Sequence, residues 1–119
     1  MQSEQIEKAK EHFGKLLEKQ LKRIEDFIDY SKLDKIIIGV CGGDGIGPKI
    51  TNEGKRLIEF LLKDEIAKGK VEVRVIEDLT IEKRAEEQRA IPAKCLEELK
   101  QCHVILKGPT PTPRKGDPW

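Results

Sequence analysis

The chain has 119 residues, with 23 Lys and Arg against 22 Asp and Glu and a formal charge of +1 at pH 7. A net charge this close to zero provides no field that attracts a polyanion, which argues against a nucleic-acid-binding protein. No apolar run approaches the roughly 20 residues of a membrane span, and the N-terminus lacks the apolar core of a secretory signal. We therefore expect a cytoplasmic protein with no membrane segment and one packed core.

Residues 3–30 are predicted to form one long amphipathic helix, because apolar residues recur every three or four positions between Lys and Glu. Two roles are open for this helix: packing on its own domain, or a coiled-coil-like contact between subunits. We assign residues 1–34 to a helical extension. Its apolar stripe consists of Ile6, Ala9, Phe13, Leu16, Leu17, Leu21, Ile24, Phe27 and Ile28.

The next segments alternate between strand and helix patterns. Residues 35–41 form a continuous apolar run, which is typical of a strand buried on both faces. Residues 42–47 form a glycine-rich turn, and Pro48 stands where the first turn of a helix begins. That helix is predicted to end at Gly69. Its apolar side is predicted to carry Ile50, Leu57, Ile58, Leu61, Leu62 and Ile66.

The second half of the chain continues this alternation. Residues 71–75 alternate Val with charged residues and predict a strand with one wetter face, whereas residues 77–90 fit either a loop or an irregular helix. Pro92 begins a shorter helix, and residues 103–106 form a third apolar strand. The predicted fold class is α/β, a long N-terminal helix followed by a β-α-β-α-β partial parallel sheet.

The cysteines and histidines do not predict a reactive or metal site. Cys41, Cys95 and Cys102 form no Cys-x-x-Cys pair, so we expect reduced thiols that pack in the core. His12 and His103 have no acidic or cysteine partner at metal-ligand spacing, and the sequence predicts no zinc site.

The glycine-rich turn invites a phosphate-binding interpretation, since helix N-termini attract anions. The spacing does not fit the two common motifs, because Pro48 stands at the last glycine of a Rossmann fingerprint and at the lysine of a Walker A loop. The simpler alternative is a tight, close-packed turn in which Asp44 caps local N–H groups. A phosphate-binding domain that uses residues 42–49 stays open as a hypothesis of function. It predicts that a bulky residue in place of Gly45 lowers the affinity for nucleotides.

A second candidate segment follows the third strand and runs from Lys107 to Pro113. It leaves the carboxyl end of a strand, where α/β sheets bind their ligands, and its prolines stiffen the backbone that carries Thr110 and Thr112. Lys107 offers a point charge for a carboxylate or phosphate. The alternative is a solvated proline-rich tail. Four prolines fall in the last eleven residues, namely Pro109, Pro111, Pro113 and Pro118, and the sequence stops at Trp119.

Together these segments resemble the isocitrate/isopropylmalate dehydrogenase family. Gly43 to Pro48 match its G-D-G-I-G-P turn, and Lys107 to Pro113 match its K-G-P-x-x-T-P segment. Lys107 makes the chain most similar to the NAD-dependent isocitrate branch. Two residues depart from the pattern: Lys49 stands where the family commonly has glutamate, and Pro111 where it often has threonine.

The resemblance implies an enzyme that oxidises and decarboxylates a 2-hydroxy acid, with isocitrate converted to 2-oxoglutarate. The implied cofactors are NAD or NADP together with Mg²⁺ or Mn²⁺, and the parent protein is expected to be a homo-oligomer. By position, Lys107 and Thr112 are substrate-binding candidates, and Ile46, Thr110 and Thr112 are cofactor-binding candidates.

No catalytic or metal-binding residue of the family is matched in the sequence. We therefore expect residues 35–119 to be the N-terminal part of the family's large domain, truncated in the active-site loop and inactive alone. The alternative function is a non-catalytic subunit or interaction module that uses the N-terminal amphipathic helix.

Overall fold

The computed structural model describes residues 2–25 and 27–116, and within the first helix it describes the side chains of residues 3–23. The chain divides into two units, Met1–Lys32 and Leu33–Trp119, and each is described by itself. The Ile24 side chain of the predicted stripe lies outside the described residues, as do Pro118 and Trp119. No helix in the described part of the chain is both long enough and apolar enough to cross a membrane.

The first unit contains the helix α1, Gln2–Glu25, which is shorter than the predicted span to residue 30. Beyond its end, the Asp29 carboxylate accepts hydrogen bonds from the Ser31 backbone N–H and hydroxyl. Such local side-chain bonds compete with helical backbone pairing, and a 3-10 turn follows at Tyr30–Lys32. The apolar stripe of α1 is exposed to between 46% and 62% at Ile6, Phe13, Leu16, Leu17 and Leu21.

The second unit contains the predicted parallel sheet. Its strands are β1 Ile36–Cys41, β2 Val71–Ile76 and β3 Val104–Lys107, in the order β2-β1-β3. Both pairings are parallel, and Ile38 lies opposite Val73 on one side and Val104 on the other. The central strand β1 has a neighbouring strand on each edge, and its continuous apolar run suits a strand that is covered on both faces. The predicted α/β class with a parallel sheet is confirmed.

The predicted helix between β1 and β2 is divided in two, α2 at Gly47–Leu61 and α3 at Lys63–Ala67. Helical hydrogen bonds continue across the break, from the Leu62 N–H to the Ile58 carbonyl and from the Ile66 N–H to the Leu62 carbonyl. Gly69, at φ +73°, follows the end of α3, in agreement with its predicted stopping role.

The face that meets the sheet coincides only in part with the predicted apolar side, of which Ile58, Leu62 and Ile66 are half-buried. Thr51 is buried, and a Cβ placed on Gly54 would lie 3.1 Å from the Leu106 side chain, so small residues let the helix approach the sheet closely. Leu57 and Leu61, which belong to the predicted apolar side, are 58% and 68% exposed. Periodicity identified the helix, but the close approach of small residues decided its orientation.

The main buried cluster lies between the other face of the sheet and the helix α5, Ala93–Lys100, which follows a short helix α4, Ile81–Glu87. The structure thus resolves the ambiguity over residues 77–90 in favour of a short helix, which Thr80 caps by accepting from the Lys83 N–H. Pro92 is predicted to begin a helix that carries Cys102, but α5 ends at Lys100 and Cys102 lies beyond it. The buried cluster consists of Cys41, Ile76, Leu79 and Cys95, with Ile91, Leu99 and Cys102 packed against it.

The thiols of this core have the packing role that the sequence predicts. Cys41 and Cys95 are 0% and 1% exposed. Burial raises the pKa of the Cys41 thiol to about 11, and it raises the pKa of Cys95 and Cys102 as well. Because the thiolate is the reactive form, these groups stay protonated and inert near neutral pH.

Candidate functional site

The two segments singled out in the sequence lie side by side at the carboxyl edge of the sheet. The turn that follows β1 and the proline-rich segment that follows β3 are joined by two backbone hydrogen bonds. The Gly108 N–H donates to the Cys41 carbonyl at 2.8 Å, and the Asp44 N–H donates to the Pro109 carbonyl at 2.8 Å. Parallel pairing of β1 with β3 brings the segments to the same edge, although 62 positions separate Lys107 from Gly45 in the sequence.

Glycine is required where these segments touch. Gly43 has φ +70°, and a Cβ placed on it would collide with the Pro109 carbonyl oxygen. A Cβ on Gly108 would collide with the Gly42 carbonyl oxygen in the same way. The backbones therefore meet at distances that no side chain allows. By contrast, Gly45 has φ +58° but open space around it, so its role is conformational.

Asp44 connects this turn to a third segment. Its Oδ1 accepts a hydrogen bond of 2.9 Å from the Ile81 N–H, the first residue of α4. Its Oδ2 is buried and has no hydrogen-bond partner among the described residues. Asp44 is predicted to cap local N–H groups, but its carboxylate instead accepts from a distant helix, and this contact fixes α4 against the candidate site.

Lys107 and Thr110 form a pair within the proline-rich segment. The Lys107 Nζ donates to the Gly108 carbonyl at 2.9 Å and to the Thr110 Oγ1 at 3.0 Å. Lys107 is exposed, so its ammonium is accessible to an anionic ligand. Its flexible side chain lets the ammonium exchange one acceptor for another.

A shallow groove of about 370 Å³ lies between the turn and the proline-rich segment. Ile46, whose side chain is 69% exposed, lies on one side, and Thr110 lies on the other. Lys107 reaches this groove through its bond to Thr110, whereas Thr112 is exposed outside the lining. The groove is lined by Asp44, Gly45, Ile46, Pro109, Thr110 and Pro111.

The backbone at the start of α2 does not form a phosphate cradle. The Gly47 N–H donates to the Asp44 carbonyl and the Ile50 N–H to the Ile46 carbonyl. Pro48 has no N–H at all. Two N–H groups at this helix N-terminus are thus already bonded and Pro48 offers none, which weakens the phosphate-binding hypothesis for residues 42–49.

Sequence inspection did not identify Arg84 as part of this site. Its Nη1 donates to the Pro111 carbonyl at 3.0 Å, and its Nε donates to the Ala90 carbonyl at 2.9 Å. Arg84 lies within residues 77–90, whose sequence fits either a loop or an irregular helix, and no motif surrounds it. The one sequence feature that points to such a contact is the proline-rich segment, because its backbone carbonyls need hydrogen-bond donors from other segments.

A second cleft of about 280 Å³ opens between the start of α2 and the loop that follows β2. Pro48, Thr51 and Asn52 line one side, and Asp78 and Leu79 line the other. Asp78 has φ +69°, an uncommon conformation for a residue other than glycine. This cleft shares the glycine-rich turn with the groove but contains none of the predicted site residues.

The implied cofactors fit the described residues unequally. In residues 2–25 and 27–116, no three His, Cys, Asp or Glu side chains lie close enough together to hold a metal ion. These residues therefore do not form the Mg²⁺ or Mn²⁺ site that the resemblance implies. For NAD or NADP, the described residues offer one apolar groove, with the exposed Ile46 side chain on one side and Thr110 on the other.

Comparisons of the chain with protein-family models, with curated proteins and with solved structures give no match.

Proposed function

We propose that residues 35–119 supply part of the binding site of an NAD(P)-dependent decarboxylating dehydrogenase of the isocitrate/isopropylmalate type. The observation that carries this proposal is the hydrogen bond from Asp44 to Pro109, because it unites the two segments on which the resemblance rests. Resemblance in two distant segments gains weight when both segments line one groove at the carboxyl edge of a parallel sheet.

The proposed substrate is a 2-hydroxy acid with several carboxylates, and isocitrate is the first choice. Lys107 would bind one carboxylate by exchanging its bond to the Gly108 carbonyl or to Thr110 for a charged acceptor. Thr112, exposed further along the segment, would add a hydroxyl contact. A nicotinamide, when bound, accepts hydride from the hydroxyl carbon, and Ile46 and Thr110 would orient its ring against the groove.

The described residues bind and orient in this proposal, and they do not perform the acid–base chemistry. Lys107 supplies charge, Thr110 and Thr112 supply hydroxyls, and Ile46 supplies apolar surface. The metal-assisted decarboxylation of the family needs groups that these residues do not provide. We accordingly expect the 119-residue chain by itself to form no NADH from isocitrate.

A titration of the chain with isocitrate, followed by NMR, tests the proposal. We expect millimolar isocitrate to shift the backbone signals of Lys107, Thr110 and Thr112, and the variant Lys107→Gln to lose these shifts. Lys115→Gln removes the same charge from the neighbouring turn and should retain them. If isocitrate leaves these signals unmoved, or if Lys107→Gln responds like the wild type, the proposal is wrong.

A second candidate function is an interaction module that uses α1. It is supported by the exposure of the apolar stripe, of which Phe13 and Leu21 are each 62% exposed. The variants Leu17→Gln and Glu18→Gln replace adjacent residues, one within the stripe and one outside it. If α1 mediates self-association, light scattering should show a smaller species for Leu17→Gln only. Identical masses for both variants and the wild type would remove this candidate.

A further inference from the structure

The proline-rich segment depends on donors outside itself for its conformation. Pro109, Pro111 and Pro113 have no N–H groups, so the segment cannot pair its own backbone as a strand or helix would. The Pro109 carbonyl accepts from the Asp44 N–H, and the Pro111 carbonyl accepts from the Arg84 guanidinium. Each of these two carbonyls therefore takes its donor from a different part of the fold.

Arg84 is well placed to hold the Pro111 carbonyl because it lies on a helix fixed at both ends. The Ile81 N–H at the start of α4 donates to the Asp44 carboxylate. At its other end, the Glu87 carboxylate accepts from the Ala93 N–H at the start of α5, at 2.9 Å. The planar guanidinium then spans two loops, since its Nε donates to the Ala90 carbonyl while its Nη1 donates to the Pro111 carbonyl.

We propose that Arg84 is a positioning residue for the candidate ligand-binding segment. Thr110 and Thr112 flank Pro111 directly, so fixing the Pro111 carbonyl restricts where both hydroxyls point. Without this bond, the segment keeps the Asp44–Pro109 and Lys107–Thr110 hydrogen bonds but loses its attachment to α4 at Pro111. The identity of the ligand rests on the proposed function, but the effect of Arg84 on the conformation of the proline-rich segment does not.

The experiment compares Arg84→Gln with Lys83→Gln in the full 119-residue chain. Both variants lose one positive charge from α4 and gain the same side chain, but Lys83 pairs with Glu86 on the exposed surface instead of reaching the segment. Backbone ¹⁵N order parameters of Thr110 and Thr112 are measured, with Val40 of the buried strand β1 as the internal reference. In Arg84→Gln we expect the order parameters of both threonines to fall from about 0.85, the value of a rigid backbone, to below about 0.6, with that of Val40 unchanged.

The conservative variant distinguishes positioning from general support of the fold. Arg84→Lys retains the charge and can bond one carbonyl, so we expect order parameters between those of Arg84→Gln and the wild type. The inference is overturned if Arg84→Gln and Lys83→Gln leave the threonines equally ordered. It is also overturned if Val40 loses order together with them.

A titration with isocitrate separates this inference from the proposed function. If the wild type binds, Arg84→Gln should bind at least fivefold more weakly and Lys83→Gln should bind normally, which supports both proposals. If the threonines lose order in Arg84→Gln but no form binds isocitrate, the positioning role stands and the proposed function fails. Binding of equal strength in Arg84→Gln and the wild type would contradict the positioning role.

Discussion

The backbone N–H of Asp44 and the carbonyl oxygen of Pro109 are joined by a hydrogen bond of 2.8 Å. This bond closes the candidate site, because it attaches the turn after the first strand to the segment after the third. The carboxylate of the same residue receives the Ile81 N–H, so one aspartate holds three segments together through its backbone and its side chain.

The closeness of these segments predicts different costs for two glycine substitutions. Gly43 and Gly45 both have positive φ, but only a Cβ on Gly43 would collide with the Pro109 carbonyl. We expect Gly45→Ala to lower the free energy of unfolding by about 1 kcal/mol, the cost of a left-handed conformation. Gly43→Ala should cost more than about 2 kcal/mol because the collision adds to that strain. Urea unfolding followed by circular dichroism measures both, and equal losses would contradict the close approach.

Two neighbouring residues of β2 should differ sharply in their contribution to stability. Ile76 is 1% exposed within the core, whereas Val75 is 53% exposed. Truncation of a buried isoleucine leaves a cavity, so Ile76→Ala should cost about 2–5 kcal/mol. Val75→Ala should cost no more than about 1 kcal/mol, because its side chain already contacts solvent. Urea unfolding of the two variants gives the comparison, and a larger loss for Val75→Ala would show that the other face forms the core.

His103 should stabilise the sheet through its side chain. Its Nδ1 accepts a hydrogen bond of 2.9 Å from the Ile37 N–H, and its backbone N–H donates to the Ile37 carbonyl. His103→Ala removes the acceptor and should cost about 1–3 kcal/mol, the penalty for an unsatisfied N–H in a partly buried position. Faster hydrogen exchange at the Ile37 amide should accompany the loss. His12→Ala changes the exposed histidine of α1 and should leave that amide unaffected.

The buried thiols should make stability fall at high pH. Burial raises the pKa of Cys41 from 9.0 to about 11, so between these values the thiol ionises in the unfolded chain but stays protonated in the folded one. The unfolded state then binds fewer protons, and the free energy of unfolding decreases as pH rises through this window. A shift of this size corresponds to a loss on the order of 2 kcal/mol by pH 11.

The pH prediction is checked with Cys41→Ala, which removes the titrating group. The variant starts from a lower stability because a buried side chain is truncated, so the informative quantity is the change from pH 8.5 to about pH 10.5. We expect that change to be smaller than in the wild type, with Cys95 and Cys102 responsible for part of the remainder. A parallel decline in both proteins would mean that Cys41 does not contribute.

Much of the architecture followed from local patterns. The continuous apolar run of residues 35–41 indicated a strand buried on both faces, Pro48 and Gly69 marked where the helical stretch begins and ends, and the alternation of elements predicted the parallel sheet. The orientation of α2 was not predictable in this way. Its period was clear, but the small residues Thr51 and Gly54 let that face approach the sheet and left Leu57 exposed.

The sequence by itself determined which residues are candidates for the site, because motif spacing and strand ends are properties of short segments. The sequence was sufficient to identify four candidates: Ile46, Lys107, Thr110 and Thr112. Only the tertiary structure decided how they are arranged: Ile46 and Thr110 share a groove, Lys107 bonds to Thr110, and Thr112 lies outside the lining. The contributions of Asp44 and Arg84 were also decided there. Three of their partners, Ile81, Pro109 and Pro111, lie 27 to 65 positions away, and no local pattern specifies which distant donor meets which acceptor.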